Sequence, residues 1–237
     1  NGNIGIGHVR YSTAGGSYEY NTQPLLGFSK GKRIAIAHNG NLINNQLLKT
    51  RLEEDGMMFQ TTIDSEVILY LISRYYNGDM LDAVKKTMDL IKGAYSLVVM
   101  LKDKMVAVRD PYGFRPLVMG RRGDDYIFAS ETGVIDVLGG EYIRDLEPGE
   151  IVIVKDNKME FHMYEHKAPM STCIFEHIYF ARPDATIDGL NAYSFRVKTG
   201  EILAKESPVD ADVIVPVPDS GWPGAIGFSS KSGIPIM

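Results

Sequence analysis

The spacing of apolar residues changes near Ala94, and this change constrains the fold more than any other feature of the sequence. Before it, apolar residues recur three or four positions apart, which predicts amphipathic helices over 44–54, from Asp64 onward, and over 79–92. After it come short strand-like runs separated by Gly, Asp, Asn and Pro, at 95–101, 105–108, 117–119, 126–129, 151–154 and 159–164. Helices followed by mostly antiparallel strands indicate a layered α+β domain.

Three shorter features complete the first region. A strand is expected over 3–7, and another over 32–38 runs into Asn39-Gly40, a pair typical of tight turns. A short helix is expected after Glu131. The chain begins at Asn1 without an initiator methionine and enters the first strand at once, so we expect it to be truncated, and the strand-like run over 233–237 suggests the same at the other end.

A second region begins after Ala168-Pro169. A helix is expected over 191–206, a buried strand over 212–217, and a loop leading into a helix from Gly221 onward. This order is typical of the start of an α/β domain with a parallel sheet, although the region is too short to complete one. The sequence therefore predicts a domain over 1–168 and a linker with the start of a second domain over 169–237.

Composition excludes several classes of function. The net charge of −5 with scattered Lys and Arg argues against nucleic-acid binding, which needs clustered cations. No apolar run reaches the ~20 residues that span a bilayer. The single cysteine, Cys173, excludes an internal disulfide and is typical of a reducing cytoplasm. The histidines form no metal-ligand pair, because His162 and His166 are four apart in a strand-like run.

The segment around Arg10 is the first that could carry chemistry. An arginine at the end of a strand can bind a carboxylate through two hydrogen bonds, and the hydroxyl of Thr13 could complete the contact. The alternative is a surface arginine before a turn rich in Ser, Thr and Gly.

Two further segments carry polar groups suited to an amide substrate. Asn39 and Gly40 present a carboxamide and an unhindered backbone N–H, two donors that suit an oxyanion hole, although a plain hairpin turn is the simpler interpretation. Asp64 could accept from a ligand ammonium, although helix capping alone would also explain it. Together, a carboxylate clamp, an ammonium acceptor and an oxyanion hole are the groups needed to bind glutamine and hydrolyse its side-chain amide.

The sequence resembles the glutaminase domain of N-terminal-nucleophile amidotransferases, and among them the glutamine phosphoribosylpyrophosphate amidotransferases of purine synthesis. The resembling segments are GHVRYSTAGG (7–16), NTQPLL (21–26), AHNGNL (37–42), TIDSE (62–66), RDPYGFRPLVMG (109–120), FASET (128–132), LEPGE (146–150) and FEHIYFARPDATIDG (175–189). They follow one another in order along nearly the whole chain. Val215 to Gly221 resembles the start of the family's phosphoribosyltransferase domain.

The resemblance implies a four-layer αββα N-terminal-nucleophile hydrolase fold, incomplete here, followed by the beginning of an α/β phosphoribosyltransferase domain. It implies an amidophosphoribosyltransferase that makes 5-phosphoribosylamine from glutamine and phosphoribosyl pyrophosphate, with Mg²⁺ bound alongside the latter at a site outside this chain. Feedback inhibition by purine nucleotides and a homo-oligomer, a tetramer in the family, follow from the same resemblance. The glutamine-binding roles fall on Arg10, Thr13 and Asp64, and the oxyanion hole on Asn39 and Gly40.

Three departures from the family limit what is expected of this chain. The family's nucleophile is an N-terminal cysteine, which this chain lacks, so we expect the 237-residue chain to release no ammonia from glutamine. Cys173 stands where some members ligate a [4Fe-4S] cluster, but a buried thiol explains it equally well. Gly133 stands where the family pattern has a cysteine.

Two alternatives to this function remain open. One is another amidotransferase of the same superfamily, such as the glucosamine-6-phosphate synthase type, and the other is a non-catalytic glutamine-binding module. The segment 110–117 is also open: Arg115 could form a structural salt bridge or act at the glutamine site or a domain interface.

Overall fold

The computed structural model describes residues 3–10, 16–166 and 168–237. The strands are β1 (Leu25–Ser29), β2 (Lys32–Leu42), β3 (Gly93–Met100), β4 (Lys104–Arg109), β5 (Val118–Arg122), β6 (Asp125–Ala129), β7 (Glu141–Asp145), β8 (Glu150–Lys155), β9 (Lys158–Met163), β10 (Thr186–Ile187) and β11 (Leu190–Asn191). The helices are α1 (Asn45–Glu54), α2 (Ser65–Tyr75), α3 (Met80–Met88), α4 (Thr132–Val137), α5 (Ala192–Glu206) and α6 (Gly221–Ser232). Short 3-10 and π-helical turns cover Glu19–Asn21 and Glu176–Phe180.

Two antiparallel sheets form the centre of the first region. The larger has six strands in the order β1-β2-β3-β4-β8-β9, and the smaller has three in the order β6-β5-β7. Because side chains alternate along a strand, Ile34 and Ile36 of β2 face α2 and α3, while the other side of the larger sheet faces the smaller one. Ala107, Leu117 and Val152 form part of the core between the sheets.

The short helix α4 lies against the smaller sheet. A Cβ atom on Gly120 of β5 would come within 2.7 Å of the Ile135 side chain, so only a glycine lets α4 pack this closely. The layers therefore run helix, sheet, sheet, helix, which is the four-layer order that the family resemblance implies.

Most of the predicted elements are confirmed, including the three early helices, the short helix after Glu131 and the helix over 191–206. The third helix ends at Met88, four residues before its predicted end. The strands β1 and β7 were not predicted. The predicted strand over 3–7 is wrong, because within the described residues this extended segment pairs with no neighbour.

The tight turn predicted at Asn39-Gly40 is also wrong. Both residues lie inside β2, where Asn39 pairs with Ser96 and Gly40 with Tyr95 of β3. The chain continues straight through the pair because β3 offers a full-length partner, and hydrogen bonding across the sheet outweighs the local turn preference.

The second region consists mainly of α5 and α6, which cross closely. A Cβ on Gly200 would lie 1.9 Å from the Gly224 oxygen, and one on Gly227 would lie 1.9 Å from the Val197 oxygen. The predicted strand over 212–217 is reduced to one parallel bridge between Ile214 and Ile236. No helix in the described part of the chain is both long and apolar enough to cross a membrane. The domain boundary at 168/169 stays a prediction.

A buried ion pair attaches the second region to the first. Arg109, only 1% exposed, donates to both carboxylate oxygens of Asp188 at 2.9 and 3.0 Å. The same guanidinium donates to the carbonyl oxygens of Leu146 and Gly113. The segment that carries Asp188 is therefore fixed against the motif 109–120.

Candidate active site

A cavity of about 1150 Å³ lies where β2, the start of α2, the β6–α4 connection and residues 176–182 meet. Four of the five residues predicted to bind glutamine line it: Arg10, Asn39, Gly40 and Asp64. The fifth, Thr13, lies outside the described residues. The fold therefore gathers groups that are up to 54 positions apart in the sequence around one space.

Gly40 lies where the backbone of β2 passes very close to β3. Its φ is +153°, and a Cβ atom there would come within 2.0 Å of the Ala94 carbonyl oxygen. No other residue fits this position without a backbone shift. The hairpin interpretation of Asn39-Gly40 is excluded, and the glycine is explained by the close approach of two strands beside the cavity.

The Asn39 side chain faces the space between the two sheets. Its carboxamide Nδ2 donates to the hydroxyl of Ser130 at 3.3 Å, in the connection between β6 and α4. Sequence reasoning missed Ser130 as a site residue, although it lies in the FASET segment. The Asn39 carboxamide, a donor that would suit an oxyanion hole, is thus oriented by a hydroxyl from the connection that follows the smaller sheet's β6.

Asp64 immediately precedes α2, as predicted, but its side chain does not cap the helix. The carboxylate instead accepts from the backbone N–H of Leu42 at 2.8 Å and lies 3.6 Å from Nδ1 of His38. Burial alone would raise the pKa of Asp64, but hydrogen bonds from His38 and Leu42 and the charge of His38 hold it below its ordinary value. The capping interpretation is therefore wrong, and the site contains a buried, ionised carboxylate.

Arg10 lines the same cavity. Its guanidinium donates to the Gly16 carbonyl oxygen at 3.3 Å. Nearby, burial lowers the pKa of His8, as do the charges of His38 and Arg10. The role of Arg10 as a carboxylate clamp stays a prediction, and so does that of Thr13.

A second arginine, Arg115, lines the same cavity. It forms an ion pair with the buried Glu176 and lies over the Phe180 ring, 5.0 Å from its centroid. The salt bridge expected of Arg115 is confirmed, and it lies in the cavity wall, while a role of segment 110–117 at the glutamine site or a domain interface stays a prediction. The partners are 61 positions apart, so no local pattern could have revealed the pair.

Cys173 lies away from this chemistry. It is half-buried, its backbone N–H donates to the Phe114 carbonyl oxygen, and it does not line the cavity. No group of three or more potential ligands is placed to hold a metal ion among the described residues. Because a [4Fe-4S] cluster takes about four cysteine thiolates, a chain with one cysteine cannot hold it alone. Cluster ligation by Cys173 stays a prediction.

The comparisons with known proteins agree with this geometry. A glutamine amidotransferase domain model matches residues 8–136. Amidophosphoribosyltransferase of Methanothermobacter thermautotrophicus is 48% identical over 236 residues, covering 99% of this chain and 50% of that protein. The Bacillus subtilis protein of the same name is 46% identical over 231 residues, covering 97% and 48%. The chain thus spans about half the length of the relatives it matches.

Solved structures show the same fold. The glutamine phosphoribosylpyrophosphate amidotransferase from B. subtilis, complexed with ADP and GMP, superimposes with a TM-score of 0.91 at 43% identity, covering 97% of this chain and 50% of that one. A structure described as the allosteric regulatory enzyme of purine biosynthesis gives a TM-score of 0.92 at 45% identity, with the same coverage. The first region has the N-terminal-nucleophile hydrolase fold, and the chain belongs to the glutamine amidotransferase domain family.

Proposed function

We propose that this chain carries the glutamine site of an amidophosphoribosyltransferase. The observation that carries the proposal is the meeting of Asn39, Gly40 and Asp64 with Arg10 around one cavity. These groups match the three polar parts of glutamine: Arg10 its α-carboxylate, Asp64 its α-ammonium, and the Asn39–Gly40 pair its side-chain amide. Thr13 is proposed to complete the carboxylate contact.

The proposed reaction begins at the side-chain amide of glutamine. The family resemblance implies a nucleophilic thiol of an N-terminal cysteine, whose α-amine accepts the thiol proton. As sulfur attacks the amide carbon, negative charge develops on the amide oxygen, where the Asn39 carboxamide and the Gly40 backbone donate. Collapse of this intermediate releases ammonia and leaves a thioester, which water hydrolyses to glutamate.

In the second half of the proposed reaction, ammonia attacks C1 of phosphoribosyl pyrophosphate and displaces pyrophosphate to give 5-phosphoribosylamine. The relatives' names and the resemblance of 215–221 to a phosphoribosyltransferase segment support this step. Mg²⁺ would neutralise the pyrophosphate at a site outside this chain.

Regulation, assembly and location are proposals of the same kind. A related structure was solved with ADP and GMP, which supports feedback inhibition by purine nucleotides. We propose a homo-oligomer in the cytoplasm, without a nucleic-acid or membrane partner. A [4Fe-4S] cluster with Cys173 as one ligand belongs to the same set of proposals.

Glutamine binding can be measured directly by isothermal titration calorimetry on the purified chain. We expect saturable binding of L-glutamine that Asp64→Asn weakens by about tenfold or more, because a charge-assisted hydrogen bond contributes about 1.5–3 kcal/mol. The matched control is Asp124→Asn, which removes a carboxylate whose side chain is 88% exposed and lies outside the cavity. Absence of binding, or equal affinity in the Asp64→Asn chain, would overturn the site.

The complete activity is tested by complementation. The complete gene in which this chain is encoded, with the sequence on both sides of it, should restore growth without added purines to a bacterial strain that lacks amidophosphoribosyltransferase. With Asn39→Ala in the same gene, growth should require a high concentration of ammonium, because ammonia can then reach the second reaction without glutamine hydrolysis. No rescue by the unaltered gene, when its product is soluble, would favour the glucosamine-type enzyme or the binding module.

A further inference from the structure

The side chain of His38 lines the cavity between Gly40 and Asp64, and the proposed function gives it no role in binding glutamine. It is only 3% exposed and points from β2 toward the helices, opposite to its neighbour Asn39. Its ring nitrogen Nδ1 lies 3.1 Å from the Ser65 hydroxyl and 3.6 Å from the Asp64 carboxylate. One edge of the ring therefore contacts the start of α2 at the proposed ammonium acceptor.

The opposite edge of the ring lies against Gly40. Nε2 of His38 is buried without a hydrogen-bond partner among the described residues. It lies 2.8 Å from the position that a Cβ on Gly40 would take, so the ring occupies the space directly behind the oxyanion glycine. Because Nε2 has no partner while Nδ1 faces two oxygens, the ring proton belongs on Nδ1.

The backbone of His38 is held as firmly as its ring. Its N–H donates to Oε1 of Gln23 at 2.8 Å, and its carbonyl oxygen accepts from Nε2 of Gln23 at 3.5 Å. The imidazole is thus a spacer of fixed position between β2 and α2.

We propose that His38 is a positioning residue whose Nδ1–H, bonded to the Ser65 hydroxyl at 3.1 Å and facing the Asp64 carboxylate at 3.6 Å, fixes that carboxylate relative to Gly40. This proposal rests on the proposed function, because that spacing matters for glutamine only if both groups bind the same molecule. The Leu42 N–H already holds one oxygen of the Asp64 carboxylate, Oδ2. His38 faces the other oxygen, Oδ1, and so limits rotation of the carboxylate about that first contact.

The charged groups around this pair are few among the described residues. Asp64 faces the ring from the start of α2, and His8 lies near enough to His38 for the two rings to interact electrostatically. The Glu66 carboxylate is engaged by Thr61 and Gln60 instead. Loss of the Nδ1 contact should therefore act mainly on Asp64, whose pKa the hydrogen bond from His38 lowers.

Two polar substitutions separate the two edges of the ring. His38→Asn places an amide N–H near Nδ1, whereas His38→Gln places one near Nε2. In the chain without ligand, carbon NMR titration should show a higher pKa for the Asp64 carboxyl in His38→Gln than in His38→Asn or the unaltered chain. Glutamine binding should weaken about tenfold in His38→Gln, the effect of one lost hydrogen bond, with rescue in His38→Asn.

The pH dependence of glutamine binding distinguishes this role from a purely structural one, which would not change the pH at which binding is lost. Binding of an ammonium needs the ionised Asp64 carboxylate. Because the pKa of Asp64 is expected to be higher in His38→Gln, lowering the pH should abolish binding in this variant at a higher pH than in the unaltered chain. Equal titration of Asp64 in the two variants would overturn the proposal. Should His38→Gln not fold, nitrogen NMR of the unaltered chain decides, because a proton on Nε2 instead of Nδ1 contradicts it. The ligand-free titrations do not depend on glutamine, so failure of glutamine binding alone would overturn the proposed function and leave this role standing.

Discussion

The cavity has two walls that are held in different ways. The first wall consists of residues 38–42 of β2 and 63–66 at the start of α2. The second wall consists of Arg115, residues 128–131 and residues 176–182. The first is continuous with the central sheet and joined internally by buried hydrogen bonds from the Leu42 N–H to Asp64 and from His38 to Ser65. The second is assembled from three segments through the Arg115–Glu176 pair and a bond from the Arg182 N–H to Glu131.

The two walls therefore have different tasks: one holds the groups proposed to react with or bind glutamine, and the other shapes the cavity around them. The proposed oxyanion donors and ammonium acceptor lie on the first wall, where a ladder of backbone hydrogen bonds limits movement. The second wall contributes the outline of the cavity and depends on ion pairs between distant segments. Substitutions in the first wall should therefore act directly on the proposed reactive groups, while those in the second should loosen the cavity and leave these groups in place.

The largest effect is expected at Arg109, whose ion pair holds Asp188 in the segment that follows the second wall. Arg109→Met removes a buried cation and leaves the Asp188 carboxylate, which is 15% exposed, without its partner. We expect the free energy of unfolding to fall by about 3–5 kcal/mol, the usual cost of breaking a buried pair. Urea unfolding measures this. In the matched control Arg182→Met, which breaks the exposed pair with Asp184, the loss should be far smaller, because solvent screens that pair. Equal losses would mean that Arg109 does not anchor the segment.

Gly40→Ala tests the rigidity of the first wall. The added methyl would lie 2.0 Å from the Ala94 oxygen, so the backbone must shift, and we expect a loss of about 3 kcal/mol from strain and overpacking. Gly56→Ala is the control, because Gly56 also has a positive φ but open space around it, and strain alone should cost about 1 kcal/mol. Similar unfolding midpoints for the two variants would show that β2 yields more easily than this contact implies.

The sequence predicted the first wall and missed most of the second for a physical reason. Asn39, Gly40 and Asp64 lie in short motifs whose residue types suit one task, so their roles could be inferred without knowing their neighbours. The local conformations were less predictable. Asn39-Gly40 was expected to turn and Asp64 to cap, and in both cases pairing with a distant part of the chain replaced the local preference.

The fold shows the same division between local and distant interactions. Periodic helices and strands were predicted close to their observed bounds, whereas β7 was missed. The residues of β7 are mostly exposed and show no apolar alternation. The strand forms because its backbone pairs with that of β5. Ser130 and Glu176 likewise have no local signal, since each becomes a site residue only through a partner at least 61 positions away.

Arg115→Met is expected to have an intermediate effect that depends on pH. Burial raises the pKa of Glu176, and the hydrogen bond and charge of Arg115 only partly oppose this. Without Arg115 the pKa of the folded state rises further. A carboxyl whose pKa is higher in the folded than in the unfolded state contributes fully to the stability of the fold at a pH below its pKa in the unfolded state. This contribution is lost as the pH rises through its pKa in the folded state. We therefore expect a loss of about 2 kcal/mol at pH 8 that shrinks toward pH 5.

The double variant Arg115→Met with Glu176→Gln separates this explanation from simple loss of packing. A neutral amide needs no cation, so the double variant should recover part of the stability at pH 8. Its unfolding free energy should also lose the additional pH dependence that Glu176 causes in the single variant. The measurement is urea unfolding of both chains across this pH range. A loss that stays the same at every pH in the single variant would assign the effect to packing of Arg115 on Phe180 instead.

The smallest effect is expected at the hydrogen bond between the walls, from Asn39 to Ser130. A double-mutant cycle of Asn39→Ala and Ser130→Ala, measured by unfolding, should give a coupling of about 0.5–1 kcal/mol, because the bond is 3.3 Å long and joins neutral groups. A parallel cycle with Asp124→Asn in place of Asn39→Ala should give none. This hydrogen bond is weak, but it connects the proposed oxyanion donor on the first wall directly to the second wall. A coupling near zero would leave the Asn39 carboxamide oriented by β2 alone, and the second wall would then act on the site only through the Arg115–Glu176 pair.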